Sequence, residues 1–266
     1  MNKYLQIFKI SFQQEFAYRL NFIMWRVRNV FQVFLVFFLW DTVFATSGTL
    51  IFGYDRQKIL TYVFALIIIR SIVLSMRSID IGPEIARGDV TNILLKPISY
   101  IRYWLTRDLA SKLLNLSFAV FETTVLYLLL KPPFFFQGNI LFLLFFLVSV
   151  TAAIILYFLL VFLFSMPTFW FPQQSWGFMF LLIVFVDILS GGTFPLDILP
   201  AAFQNIIYLT PFPYLLFIPI EIYLGKFEVF MVIKYLLISG FWILALIYIN
   251  KKIWLAGLKV YRAEGR

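Results

Sequence analysis

Few side chains in this sequence are able to carry out acid–base or metal chemistry. The 266 residues contain no Cys and no His, so thiolate sites, the commonest general base and the commonest metal ligand are all missing. Three acidic residues, Asp80, Glu84 and Asp89, lie close together in the sequence, and carboxylates alone are able to hold Mg²⁺. An enzyme built on this chain would therefore have to work with a carboxylate-bound magnesium ion.

One segment has part of a nucleotide-binding motif. Gly48 and Gly53 have the glycine spacing of a phosphate-binding loop, but Tyr54 and Asp55 follow them. A phosphate-binding loop needs a Lys for the phosphates and a hydroxyl group for magnesium at those two positions. We therefore predict no nucleotide site, no cofactor and no metal bound by this chain.

Three charged residues, Arg70, Glu122 and Asp187, lie inside long apolar stretches. A charged side chain at the centre of a bilayer costs at least ~2.5–3.5 kcal/mol on insertion scales, so it usually faces protein or water. If these stretches span a bilayer, the similar depths of Arg70 and Glu122 make them the natural ion pair. The three residues are candidates for a polar path or for an ion pair that locks two helices, and the sequence leaves both open.

The composition places these stretches in a membrane. The chain is 62% hydrophobic and 13% charged, with a mean hydropathy of +0.93, whereas soluble domains average about 45–50% apolar and about 25% charged residues. A water-soluble fold has no means of burying so much apolar surface, so lipid must be the solvent for most of it. The net charge of +9 then reflects membrane topology, and we predict no nucleic-acid partner.

Six segments are long and apolar enough to span a bilayer, which takes about 20 helical residues. They are approximately residues 22–44, 59–79, 109–130, 139–164, 175–192 and 228–249. Arg26 and Arg28, near the inner end of the first span, are able to snorkel toward the surface. Since no internal repeat or low-complexity linker is evident, we predict one domain over residues 1–266.

The basic residues orient these spans. With the N-terminus inside, sixteen of the 22 Lys and Arg residues fall on inner segments and four on outer segments, which predicts both termini in the cytoplasm. Before the first span, Leu5, Phe8, Phe12 and Phe16 form one apolar stripe at helical spacing. Residues 1–20 are therefore either an amphipathic helix lying in the interface or the first turns of a long tilted helix.

The stretch between the second and third spans, residues 83–97, predicts a compact helical knuckle on the cytoplasmic side. Pro83 suits a first helical position, and Gly88 is able to end that turn in the left-handed conformation. Asp89 is able to cap a second short helix, which Pro97 stops. The side chains that this knuckle would present are Glu84, Arg87, Asp89, Ile85, Ile93, Leu94 and Leu95. It either seats in a groove on a soluble partner or is an ordinary capped loop.

The outer stretch 193–227 is too apolar for a solvated loop and too interrupted by proline for a full span. We predict two short helices that dip into the outer leaflet, because broken backbone at membrane depth survives only where protein or a water-filled cavity covers it. The residues expected to shape this outer segment are Pro195, Pro200, Pro211, Pro213, Pro219 and Gly225.

These features resemble the permease subunits of type 2 ABC exporters. The N-terminal helix before the first span is similar to the connecting helix of that family. Residues 199–225 resemble its outer re-entrant helical hairpin, here residues 193–227. Its coupling-helix region, here residues 80–108, is matched at Glu84, Arg87, Gly88, Leu94, Leu95, Pro97 and Ser99.

The resemblance implies an all-α integral membrane protein with six transmembrane helices, an N-terminal amphipathic helix, a cytoplasmic coupling helix and an outer re-entrant hairpin. It also implies that the chain is not itself an enzyme, since a separate ABC ATPase binds ATP and magnesium. A second permease, identical or related, would complete the path in the bacterial inner membrane. The residues expected to contact the ATPase are Glu84, Ile85, Arg87, Gly88, Asp89, Leu94, Leu95 and Pro97, and the hairpin with Pro195, Pro200, Pro211, Pro213 and Gly225 would form the exit gate.

Two alternatives belong to other classes of protein. An ion-coupled secondary transporter would use Arg70, Glu122 and Asp187 as a relay, and it predicts internal pseudo-repeats, which are not seen in the sequence. An integral membrane enzyme acting on lipid would rely on the acidic residues of the cytoplasmic segment.

Overall fold

The computed structural model describes residues 3–17, 19–47, 50 and 52–261, and the regular elements in these ranges are helices. The α-helices are α1 (Lys3–Ala17), α2 (Arg19–Ser47), α3 (Arg56–Val73), α4 (Ile81–Ala86), α5 (Thr91–Leu94), α6 (Tyr100–Leu130), α7 (Ile140–Ser165), α8 (Ser175–Leu189), α9 (Ala201–Tyr208), α10 (Phe217–Tyr223) and α11 (Val229–Val260). Short 3-10 turns lie at Ser78–Asp80, Met166–Phe169, Pro172–Gln174, Leu196–Ile198 and Phe212–Tyr214.

Five segments among the described residues are helical, long and apolar enough to cross a membrane, and a sixth qualifies if α3 and its bent continuation count as one span. The five are Arg26–Phe44, Tyr100–Leu130, Ile140–Phe169, Pro172–Leu189 and Val229–Val260. This confirms an all-helical, multi-pass architecture with five to six candidate spans.

The second predicted span, residues 59–79, is wrong at its inner end. Helix α3 stops at Val73, and the helical segment Ser78–Ala86 continues at an angle of 51° to it. Apolar residues recur past Val73, at Leu74, Met76 and Ile79, so hydropathy averaged over the span does not show where the helix breaks.

Large apolar side chains cover much of the outside of the bundle. Leu35 on α2, Phe121 on α6, Phe230 and Leu237 on α11 are each between 65% and 75% exposed. Isolated exposed hydrophobic residues are common in soluble proteins, but contiguous apolar faces on several long helices are not. These faces fit lipid as the surrounding solvent, as the composition predicts.

The main core lies around α3 and α10. Ile59, Leu60 and Phe64 of α3 are fully buried, and so are Phe217 and Ile220 of α10. Helix α10 packs against α3 and α7. The outer stretch therefore contains two short helices as predicted, α9 and α10, but α10 is an internal helix covered by protein.

Candidate functional site

The knuckle (residues 83–97) consists of α4, a glycine turn and α5. Helix α4 begins at Ile81, so Pro83 lies in its first turn but not at its first position. Gly88 has φ +80° and its N–H donates to the carbonyl of Ile85 at 3.2 Å, which confirms the predicted left-handed turn. Asp89 was predicted to cap the second helix, and this is wrong: α5 starts after Val90 without a side-chain cap.

The knuckle has one face packed on the bundle and one face exposed. Ile85 and Ile93 are 4% and 5% exposed, whereas Leu94 and Leu95 are 45% and 81% exposed. Glu84 also points inward, and its carboxylate Oε2 accepts hydrogen bonds from the Tyr100 hydroxyl at 2.7 Å and from Trp104 Nε1 at 3.1 Å. Of the predicted contact residues, Glu84 and Ile85 therefore hold the knuckle in place, together with the neighbouring Ile93.

The outward face carries the remaining predicted contact residues. The Arg87 Nε donates to Asp89 Oδ2 at 2.8 Å, and both side chains remain substantially exposed. Pro97 is exposed, and its carbonyl accepts a hydrogen bond from Lys3 Nζ of α1. Arg87, Asp89, Leu94 and Leu95 together form a charged and apolar surface that is rigidly backed by the bundle.

A lysine of α6 caps the inner end of α3. The last carbonyl groups of a helix have no partner within the helix. The Lys112 ammonium, whose residue is 6% exposed, donates three hydrogen bonds of 2.6–2.9 Å to the carbonyl oxygens of Ile72, Val73 and Ser75. This capping explains why α3 ends where it does.

An aspartate one turn earlier on α6 holds the other side of the break. Asp108 Oδ1 accepts from the backbone N–H groups of Arg77 and Ser78 at 2.7 and 2.8 Å, and Oδ2 accepts from the Ser78 hydroxyl at 2.8 Å. Asp108 is 2% exposed. Asp108 and Lys112 therefore tie the break between α3 and α4 to α6, a structural role that was not predicted for either residue.

Helix α1 packs along α6 beside this region. Glu15 Oε1 lies 3.5 Å from Arg77 Nε, and the Ser99 N–H donates to the Tyr4 hydroxyl at 3.4 Å. Lys3–Ala17 is helical, within the predicted range, and it contacts Arg77 and Ser99, which flank the knuckle. Its place in the membrane interface stays a prediction. Residues 1, 2 and 18 of the predicted helix lie outside the described residues.

The predicted Arg70–Glu122 pair is wrong. Arg70 Nη2 contacts Asp187 Oδ1 at 2.7 Å, and Glu122 Oε2 contacts Arg26 Nη1 at 3.3 Å. Arg26 was expected to snorkel, but it is 7% exposed because Glu122, Ser71 and Asn115 provide acceptors at its depth. The sequence indicated the approximate depths of these charges but not which faces of the helices meet.

Residues 30–265 match the sequence profile of the ABC-2 family transporter proteins. The match covers most of the chain. This chain belongs to the ABC-2 transporter family. A search of curated proteins found no match.

Membership confirms the resemblance seen in the sequence. An ABC-2 permease is a multi-pass membrane component of an ABC transporter, is generally not an enzyme, and implies an ABC ATPase as its partner. The three acidic residues considered for magnesium have different neighbours in this ABC-2 protein: Glu84 binds Tyr100 and Trp104, Asp89 binds Arg87, and Asp80 lies 3.9 Å from Arg77.

Most of the predicted outer-segment residues of the ABC-2 chain lie at its turns, whereas Pro219 lies in the first turn of α10 and does not interrupt it. Pro195 precedes the 3-10 turn Leu196–Ile198, and Pro200 precedes α9. Pro211 and Pro213 shape the turn before α10. Gly225 follows α10 with φ +64°, a conformation that glycine adopts without strain. Their role in a gate remains a prediction.

A polar cluster under the outer segment was missed in the sequence. The Tyr54 hydroxyl donates to Glu221 Oε1 at 2.6 Å and lies 3.1 Å from Asp197 Oδ1. Lys226 Nζ lies 2.5 Å from Asp197 Oδ2, 3.5 Å from Glu221 Oε2 and 3.2 Å from the centre of the Tyr54 ring. Asp197, Glu221 and Lys226 are the charged residues of the apolar stretch 193–227, and that contrast is the signal that could have revealed the cluster.

Burial dominates the electrostatics of this outer cluster. Glu221 is 0% exposed, and its pKa is raised to about 7. Burial is the largest cause and Asp197 adds to it, while Lys226 and the Tyr54 hydrogen bond oppose the shift. Burial also raises the pKa of Tyr54 well above its usual value, so its hydroxyl stays a donor. The cluster joins the loop before α3 to both ends of the outer segment.

Proposed function

We propose that this chain is the permease subunit of an ATP-driven exporter and is coupled to separate ATPase subunits through the knuckle. The observation that carries the proposal is the division of the knuckle into a buried face and an exposed face. An element that transmits a push must be held firmly on one side and be accessible on the other. Leu94 and Leu95 supply the accessible apolar contact, and Arg87 supplies charge beside it.

In this proposal, ATP and magnesium bind to the partner chains, and their binding energy moves the knuckle. A ligand shifts a conformational equilibrium only by its differential affinity for the two states. The exporter therefore alternates between inward-facing and outward-facing states as the ATPase subunits close and reopen. The outer segment 193–227 acts as a re-entrant hairpin that forms the exit gate.

The Arg70–Asp187 pair supports a second permease or an aqueous path at α8. The Asp187 side chain is 49% exposed and that of Arg70 is 24% exposed, and Asp187 lies in a candidate span. A carboxylate facing lipid is costly, so this face of α8 is turned toward protein or water. We propose that it meets a second permease, identical or related, along the translocation path.

The proposed location is the bacterial cytoplasmic membrane, with α1 and the knuckle on the cytoplasmic side. The excess of Lys and Arg on these segments supports that orientation. The C-terminal residues 262–266, which carry two of the inner arginines, lie outside the described residues.

The ion-relay alternative finds less support. Arg70 and Asp187 form one pair and Glu122 forms another with Arg26, so the three relay candidates do not form one cluster. A relay would also need the Arg26–Glu122 pair to exchange ions while it is held by Ser71 and Asn115.

The test is a gentle-detergent purification of the tagged chain from native membranes, with mass spectrometry and ATP hydrolysis measured on the same eluate. We expect a stoichiometric soluble subunit with a phosphate-binding loop. In the variant with Leu94→Ser and Leu95→Ser, we expect the recovered ATPase to fall about tenfold, equivalent to about 1.4 kcal/mol, because an exposed apolar contact is lost.

A matched control is Leu209→Ser, since Leu209 is 73% exposed but follows α9 in the outer segment and is not part of the knuckle. That variant is expected to retain the ATPase. Recovery of the chain without any ATPase, or full retention by the Leu94 and Leu95 variant, would contradict the proposal.

A further inference from the structure

The knuckle joins a second hydrophobic core that is separate from the main one. This inner core combines residues of the knuckle with the inner ends of three long helices. Its buried members are Ile81, Ile85, Val90, Ile93, Tyr100, Trp104, Phe158, Phe162, Met166 and Phe169, and Trp254 of α11 packs against them. The knuckle is therefore part of a packed body to which α6, α7 and α11 all contribute.

Trp254 is the point at which α11 enters this core. Its ring stacks on Tyr100 with centroids 4.8 Å apart, and it lies 5.5 Å from both Phe162 and Phe169. Tyr100 in turn donates to Glu84 of the knuckle. The Trp254 indole thus contacts Tyr100 of α6 and Phe162 of α7 directly, and it reaches the knuckle through Tyr100.

Gly257, one turn further along α11, sets how closely that helix approaches. A Cβ atom at this position would lie 2.3 Å from Phe169 Cδ2, far inside the contact distance of carbon atoms. Two polar contacts fasten the same stretch: Asn250 Nδ2 donates to the carbonyl of Leu159 at 3.0 Å, and the hydroxyls of Thr91 and Tyr261 are 3.3 Å apart.

The outer half of α11, from its second turn to near its middle, contacts the outer segment. Trp242 Nε1 donates to the carbonyl of Leu209 at 3.1 Å. Tyr235 lies 6.0 Å from Tyr208 and 6.3 Å from Tyr214, centroid to centroid. As a helix of 32 residues rising about 1.5 Å per residue, α11 is roughly 48 Å long and reaches from the inner core to the proposed gate.

The chain connection from the knuckle to α3 is less direct. Helix α3 ends at Val73, its last carbonyls are bound by Lys112 of α6, and the following helical segment is bent by 51°. A displacement of the knuckle would therefore be transmitted to α11 through close side-chain packing. Along the chain toward α3, it would have to pass a break between helices.

We propose that α11 is the lever that carries motion from the knuckle to the outer segment, with Trp254 and Gly257 as the positioning residues of its inner joint. This inference rests on the proposed function, because it assigns the internal route of the same coupling. It predicts that damage to the inner joint leaves ATPase binding intact but disconnects the outer segment from nucleotide.

The first test uses hydrogen exchange on the purified chain in detergent, without any ATPase. Gly257→Ala forces Phe169 aside, so we expect faster exchange in residues 81–95 as well as in α11. The matched control is Gly240→Ala in the same helix, where a Cβ would meet nothing within 4 Å, and where alanine is the better helix former. Faster exchange confined to α11 would overturn the proposed joint.

The second test uses the complex with its ATPase and exploits the absence of cysteine from the chain. With Leu209→Cys as the only thiol in the permease, we expect trapping of the ATPase with ATP, magnesium and vanadate, which leaves ADP and vanadate bound, to change the rate at which maleimide labels this thiol. Gly257→Ala should abolish that change without reducing the amount of bound ATPase, and adding Phe169→Ala should restore it by removing the clashing ring.

A milder variant guards against misfolding. Trp242→Phe keeps an aromatic side chain but removes the indole N–H that binds Leu209, and we expect it to weaken the labelling response. A response that survives in Gly257→Ala, or that never occurs in the otherwise unaltered permease, would overturn the lever. If no ATPase is recovered from any variant, the proposed function fails, while the exchange experiment still decides whether the inner joint exists.

Discussion

At the scale of single residues, the hydrogen-bond partners of a charged side chain decide whether it is buried in this permease. Its depth along the span decides less. Arg26 shows this most clearly, since it lies near the end of a span yet is buried with Glu122 and Asn115. Burial of an arginine at this position is stable because its guanidinium donors reach carboxylate, amide and hydroxyl acceptors. Hydropathy alone contains no information about those partners.

Glu221 provides a pH-dependent prediction at this scale. Its pKa is raised to about 7 by burial, against about 4.3 in an unfolded chain. Between these values the folded protein holds a proton that the unfolded chain has released, so the free energy of unfolding falls as the pH rises through this window. We expect a loss of about 3 kcal/mol between about pH 4.5 and pH 7, and little further change from this group above pH 7.

The measurement is thermal unfolding in detergent across that pH range. Glu221→Gln should remove most of the slope, because the amide does not titrate. Glu228→Gln is the matched control, since Glu228 is exposed and lies in the same part of the chain. An unchanged slope in Glu221→Gln would show that Glu221 is not the titrating group.

At the scale of elements, the break after α3 is the feature that positions the knuckle. It turns the following helical segment, Ser78–Ala86, by 51° relative to α3. Lys112 satisfies the carbonyls that the break exposes, and Asp108 satisfies the N–H groups. The backbone polar groups at the break are therefore hydrogen-bonded, as buried backbone groups generally are, and the break is a stable part of the fold.

A graded mutation series tests this element. Lys112→Met removes three hydrogen bonds to buried carbonyls, so we expect a loss of about 3 kcal/mol or more in the free energy of unfolding. Asp108→Asn keeps one acceptor oxygen and should cost about 1 kcal/mol, whereas Asp108→Ala should cost more. Thermal unfolding in detergent, combined with limited proteolysis of residues 83–97, provides the readout.

The control for that series is Lys234→Met, because Lys234 is an exposed lysine of α11. It should unfold close to the temperature of the unaltered protein. If Lys112→Met is as stable as Lys234→Met and resists protease equally, then Lys112 does not hold the break.

At the scale of the whole molecule, the apolar exterior and the distribution of basic residues define how the bundle sits in a membrane. The long helices expose large apolar side chains along their length, which is stable only in lipid. The knuckle and the loop between α6 and α7 lie at opposite ends of α6, so the topology places them on opposite sides.

Cysteine labelling tests this topology on a chain that has no cysteine of its own. Leu95→Cys lies on the exposed knuckle, and Gly138→Cys lies in the loop before α7, where a Cβ would meet nothing within 4 Å. In intact cells, a membrane-impermeant maleimide should label Gly138→Cys and should label Leu95→Cys only after permeabilisation, because the positive segments face inward. The reverse pattern would invert the topology.

The amino-acid sequence by itself determined the membrane class, the approximate positions of the long helices and the existence of short helices in residues 83–97 and 193–227. These follow from local properties: the length of apolar runs, and proline and glycine at positions such as Gly88 and Gly225, whose backbone demands are independent of neighbours.

Only the tertiary structure decided which charges pair, where α3 breaks, which side of the knuckle is accessible, and that α10 is internal. Each depends on which faces of distant helices meet: Asp187 lies far along the chain from Arg70, and Lys112 far from Val73. In lipid, apolar residues suit the outside of a helix as well as its inside, so the hydrophobic pattern does not show which face is buried. The buried face is identified instead by the polar groups that need hydrogen-bond partners, because those groups must pack against other parts of the protein.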